Sequence, residues 1–192
     1  MNGLQVLRSL EAHHAMDAEE ARHLEATHTF IKQRVSTWWR RSTQEGHVTA
    51  SAWVLNAQYT SALLLHHAKL DRWLQPGGHI DGTDISPAHS ALREAKEETG
   101  LNSLELAPMP LWDVDVHAIP ANKNEPAHLH YDLRYLVISH DAAVTLSHES
   151  LGFRWVSLQD LISESTPSSL SRMARKARYL QHTGTVLVKL SV

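Results

Sequence analysis

The chain has 192 residues, of which 42% are hydrophobic and 20% charged, enough apolar material for one well-buried domain and an extension. Its formal net charge of −3 provides no global basic footprint, so nucleic-acid and membrane-surface roles lack electrostatic support and small-molecule chemistry fits better. Without cysteine there is no disulfide framework, thiolate nucleophile or thiolate zinc site; with no basic leader and no run of ~18 apolar residues, the chain reads as cytoplasmic.

In chain order, Asp17 is placed to cap a helix through "AEEARHLEATHTFIKQRVSTWWRRS", where Leu24, Ile31, Val35 and Trp38 recur at helical spacing. Residues 1–45 are therefore expected to form an N-terminal helical extension. Trp38 and Trp39 would be costly to leave in water, so the extension should pack on the domain or on a second copy in a possible homodimer. Residues 46–192 read as one domain. It opens with the β-rich runs "HVTASAWVL" and "SALLLHH", and continues into "LDRWLQPGGHIDGTD", punctuated by Pro76, Gly77, Gly78 and Gly82.

A helix follows whose limits are written locally: Ser86 as N-cap, Pro87 at the first position, and Gly100 in the left-handed C-terminal position. Its buried sector is Ala88, Ala91, Leu92, Ala95 and Thr99. Next come two half-polar strands, "LWDVDVHAI" and "HLHYDLRYLVI". In the second, His128, His130 and Asp132 form a polar face, read as solvated or lining a cleft rather than as a second metal site. The fifteen histidines are scattered, as surface or core-edge residues would be. A strand "FRWV", a brief helix near "LQDLI" and a last helix through "SSLSRMARKARYL" complete a mixed α/β pattern.

The central helix ends "LREAKEETGL", with Glu94, Glu97 and Glu98 on one face near its C-terminus. Like charges at i,i+3 and i,i+4 cost ~0.2–0.5 kcal/mol each, and acid in the last turn opposes the helix dipole. An isolated run of this kind is most simply a solvated face, with Arg93 pairing Glu97. A glycine-rich turn feeding the same helix favours a bound divalent cation: spaced carboxylates suit Mg²⁺ or Mn²⁺, which also bridge to phosphates, and glycine allows close backbone approach.

The segment Gly78 to Leu101, "GHIDGTDISPAHSALREAKEETGL", resembles the Nudix box, the loop–helix–loop motif G-x5-E-x7-R-E-U-x-E-E-x-G-U with U apolar. Arg93, Glu94, Ala95, Glu97, Glu98, Gly100 and Leu101 match in register. Asp84 stands where the family has glutamate, with one extra residue before Arg93. The resemblance implies a Nudix-like α/β/α sandwich with a mixed β-sheet, and hydrolysis of a diphosphate linkage in a nucleoside diphosphate derivative with Mg²⁺ or Mn²⁺. Glu97 and Glu98 would be the main metal ligands, Glu94 a further ligand or a base, Arg93 an orienting partner, and Gly78 the turn at the metal. Glu149 corresponds to the late acid of many Nudix enzymes that binds metal or deprotonates the water; otherwise it is a surface or capping acid. A Nudix-like nucleotide-binding or regulatory module without turnover is the alternative. The isomerases of the family need a cysteine, which this chain lacks. Val116, His117 and Ala118 occupy the positions past the box where ADP-ribose and dinucleoside-polyphosphate hydrolases carry marker residues, so no subfamily is indicated. Arg72, Arg134 and Arg154 are candidate phosphate contacts, and Trp73 is expected to pack in the core or support the glycine turn.

Overall fold

In the computed structural model, the described residues are 2–109, 111–121, 123, 125–163 and 165–184. The elements are α1 (Gly3–Glu11), α2 (Ala18–Gln33), β1 (Gly46–Asn56), β2 (Ser61–His67), β3 (Arg72–Leu74), β4 (Gly77–His79), α3 (Pro87–Thr99), β5 (Leu104–Leu106), β6 (Asp113–Ile119), β7 (His128–Ser139), β8 (Ser150–Ser157), α4 (Leu158–Leu161) and α5 (Ser168–Thr183).

The sheet is built around a long parallel pair, β1 against β7, in register from Gly46↔Leu129 to Asn56↔Ser139. Antiparallel strands complete it: β2 and β4 on β1, β5 and β6 on β7, and β3 and β8 on β2. A strand at this position is covered on both faces, and most of β1 is buried. Val48, Ala50, Ala52 and Val54 pack with Ala91 and Ala95 of α3 and with Val6, Leu10, Phe30 and Ile31 of the N-terminal helices. Trp53 and Leu55, on the alternate face, pack with Leu158 of α4 and with Leu170, Met173 and Ala177 of α5. The result is the expected α/β/α sandwich with a mixed sheet, preceded by N-terminal helices.

Three local expectations change. Asp17 does cap α2, accepting from the Glu20 N–H at 2.9 Å, but the helix stops at Gln33 and the chain leaves it at Arg34 (φ −134). Val35, expected on the buried stripe, is therefore 40% exposed, while Trp38 is fully buried. A further helix, α1, precedes α2, capped by Asn2 and burying Val6, Leu7 and Leu10. Finally, the charged residues of β6 and β7 are not solvated, although His117 is exposed and His128 and His130 are half-buried. Asp113, Asp115, Asp132 and Arg134 are all buried, because α5 lays Arg172 and Lys176 over Asp113 and α2 adds Glu20 to Lys176.

Candidate active site

The loop and helix that carry the acidic face are held by local contacts. Ser86 accepts from the His89 N–H at 3.3 Å, and Gly100 takes φ 65 while donating to the Lys96 carbonyl. As expected, Ala91, Ala95 and Thr99 are buried, with Ala88 and Leu92 partly so. Ser90 is buried as well.

Arg93 organises the site. Its Nε and Nη2 donate to the two oxygens of Asp84 at 3.1 and 2.9 Å, Nη2 also reaches the His79 carbonyl at 3.1 Å, and Nη1 donates to Glu94 at 2.9 Å and Glu97 at 3.2 Å. Ser90 Oγ and the Asp81 N–H also donate to Asp84. Against a desolvation that pushes it up, the hydrogen bonds from Arg93, Ser90 and Asp81 hold the Asp84 carboxyl down at about 2, and Asp84 raises the Arg93 pKa in turn.

Glu98 accepts from the Gly77 N–H at 2.8 Å. Desolvation, opposed by that bond and reinforced by Glu94, Glu149 and Glu97, pushes its pKa up to about 7. Glu94 is raised by desolvation too, against the pull of Arg93. A side chain at Gly78 would bring its Cβ to 2.8 Å from the Glu94 carboxylate, so glycine leaves the space into which that acid projects. Carboxylates desolvated together, with glycine backbone beside them, form a hard-oxygen set that suits Mg²⁺ or Mn²⁺.

Glu149 lies in the exposed turn before β8, and its charge acts on both Glu94 and Glu98. The loop that delivers it also closes the end of α3. The Thr145 N–H donates to the Thr99 carbonyl at 2.8 Å, and the Ser147 N–H to the Glu98 carbonyl at 3.1 Å, which satisfies carbonyls that a helix end otherwise leaves open. Glu97 is the most exposed of the three helix acids and engages Arg93. Sequence reasoning missed Ser90 and this loop. Ser90 carried a signal, a hydroxyl at i−3 from Arg93 beside an apolar sector; the loop, acting through its backbone, carried none.

Of the other candidates, one is tied up elsewhere. Arg134 is buried by Asp113, Asp115 and Asp132, so it is not a phosphate contact. Trp73 is half-buried, stacked on His66 at 4.9 Å with Arg154 over it at 4.3 Å.

The model of the NUDIX domain matches residues 45–177. The chain belongs to the Nudix hydrolase family. Over 75 residues, 38% of this Nudix chain and 43% of the relative, it is 39% identical to a probable DHNTP pyrophosphohydrolase of Lactococcus lactis subsp. cremoris (strain MG1363); the match thus spans less than half of that relative's length. In fold it is similar to a C. elegans Ap4A hydrolase in a binary complex (TM-score 0.56, 22% identity, 72% of this chain and 98% of that one). It is also similar to a Nudix-family hydrolase from Clostridium perfringens (TM-score 0.53, 27% identity, 70% and 97%). Among the described residues no helix is long and apolar enough to cross a membrane.

Proposed function

We propose that this Nudix chain hydrolyses a diphosphate linkage in a nucleoside diphosphate derivative, with Mg²⁺ or Mn²⁺ held by Glu94, Glu97, Glu98 and the backbone at Gly78. The observation that carries the reading is the grouping of Glu94 and Glu98, desolvated on one face of α3 against the Gly77–Gly78 backbone, with the charge of Glu149 beside them. When bound, the cation polarises phosphoryl oxygens and acidifies water. In this reading Glu149, in a solvent-facing turn, or Glu94, on the helix, accepts the proton of the attacking water as the bridging P–O bond breaks. Arg93 acts as a positioning residue: tied to Asp84 and the His79 carbonyl, it sets the rotamer of Glu94. The products are a nucleotide and a phosphorylated moiety.

Phosphate or nucleotide release should be assayed with nucleoside diphosphate derivatives, Ap4A among them, and with the pterin triphosphate DHNTP, in Mg²⁺ and in Mn²⁺, on the parent and on Glu98→Gln. Metal-dependent turnover by the parent that falls by orders of magnitude in the variant is the expected outcome. No turnover of any substrate by the parent would favour a binding module, and parent-like turnover by Glu98→Gln would remove the metal role of Glu98. In chelator the variant should be as stable as the parent or more so by a few tenths of a kcal/mol, because a repulsive charge is gone. Saturating metal should reverse that order through linkage to the native state.

A further inference from the structure

On the face of the sheet opposite Glu94 lies a second group of ligand-bearing side chains. β1 pairs His47 directly with His130 of β7, and pairs Thr49, two residues on and on the same face, with His79 of β4. Three neighbouring strands thus present three imidazoles to one side. Their ring centroids are 4.7 Å (His47–His130), 5.0 Å (His47–His79) and 5.4 Å (His79–His130) apart, and one nitrogen from each lies within 4.8 Å of the other two. His47 is 1% exposed, yet neither of its ring nitrogens has a hydrogen-bond partner among the described residues. A buried polar group without a partner is a feature that native structures avoid.

We propose that His47, His79 and His130 bind a divalent transition ion of the zinc class, separately from the glutamate site. Three neutral imidazoles with no carboxylate select borderline ions such as Zn²⁺ over Mg²⁺ and Mn²⁺, which prefer oxygen. Tetrahedral zinc with Zn–N of about 2.0–2.1 Å places its ligands about 3.4 Å apart, so the rings close by side-chain rotation without moving strands. His128 is the nearest further donor. Its Nδ1 donates to the Pro126 carbonyl at 2.8 Å, and its Nε2 lies 3.2 Å from Nε2 of His130; a carbonyl bond to the second ring nitrogen is the usual outer-shell arrangement of metal-binding histidine. The nearby charge of Arg41 is offset by its ion pair with Glu125. An ion here would tie β1, β4 and β7 together one residue from Gly78. The proposal does not depend on the hydrolase reading.

The test uses the full chain without an affinity tag, stripped of metal and titrated with Zn²⁺ alone against a chromophoric chelator in excess Mg²⁺. One Zn²⁺ should bind per chain, and X-ray absorption of the zinc-loaded parent should show a nitrogen-rich shell near 2.0 Å with imidazole scattering. His130→Ala should weaken zinc binding by about 100-fold or more, while Glu98→Gln leaves it unchanged. An oxygen-dominated shell without imidazole, parent-like binding by His130→Ala, or no binding at micromolar Zn²⁺ would each overturn the proposal. The absorption measurement on the parent decides the case even if the variant does not fold.

Discussion

Asp84 is one methylene shorter than the glutamate of the Nudix pattern, and the chain carries one residue more between it and Arg93. The two departures compensate, because the longer loop brings the shorter acid into a two-pronged grip on the guanidinium. With its pKa depressed to about 2, Asp84 contributes stability that is complete above the ordinary aspartate value near 3.8 and is lost as pH falls through the depressed one. The stability difference between parent and Asp84→Asn, about 1–2 kcal/mol after allowance for solvent screening, should be constant above about pH 5 and shrink between about pH 4 and pH 2. Urea midpoints across that range would show it; a difference that grows on acidification would refute it. At Gly78 the expected effect is catalytic. Gly78→Ala forces the Glu94 carboxylate aside, and because the group displaced is the end of a flexible side chain the melting temperature should move little. kcat should fall by about 10²-fold, the usual scale for a misplaced reacting group; an unchanged kcat would show that Glu94 is not where the chemistry occurs.

Among the elements, α3 was the most legible in sequence. Its cap, first-turn proline and terminal glycine act within a few residues of themselves, so tertiary context does not override them. The early stop of α2 was not legible, since the helical spacing of Val35 and Trp38 persists in sequence after the backbone has left the helix at Arg34. Alternation in β6 and β7 correctly marked a polar face, but not what covers it: Arg172 and Lys176 lie 59 and 63 residues beyond Asp113. Within the site, the acidic face and Arg93 could be read from spacing, whereas the closing of the α3 end by the Thr145–Ser147 backbone leaves no trace in residue type. Burial of Trp38 within the chain's own core means that no second copy is needed to shield it. Removing residues 1–42 should therefore lower the melting temperature by several degrees or more, as it uncovers β6 and strips Glu20 from Lys176. An unchanged melting curve would make these helices a dispensable appendage.

Across the whole molecule, the feature that joins first helices to last is a buried ionic network. Asp113 accepts from Arg172 and Lys176, Arg134 bridges Asp113, Asp115 and Asp132, and Glu20 closes the group on Lys176. Burial alone would raise the Asp113 pKa, but Lys176, Arg172 and Arg134 carry it well below the usual value of 3.8. Its contribution is thus present above about pH 4 and lost on further acidification, and the thermal midpoint of the parent should drop steeply below about pH 4. Lys176→Met should cost about 3 kcal/mol: Asp113 keeps Arg172 and Arg134 and Glu20 keeps His13, but the two buried acids lose the ammonium that lies between them. The cost is read as a lower urea midpoint with an unchanged m-value; a loss below about 1 kcal/mol would show the network to be incidental. The span of these contacts also shapes how the chain folds. Glu20 and Lys176 are 156 residues apart in sequence, and the central strands β1 and β7 pair across some eighty more residues of separation than a hairpin would need. Folding therefore has high contact order and is expected to be slow. During synthesis the N-terminal helices emerge well before the last helix that neutralises them, so a ribosome-bound chain halted before Arg172 should remain protease-sensitive from end to end, and native resistance should arise in one late step.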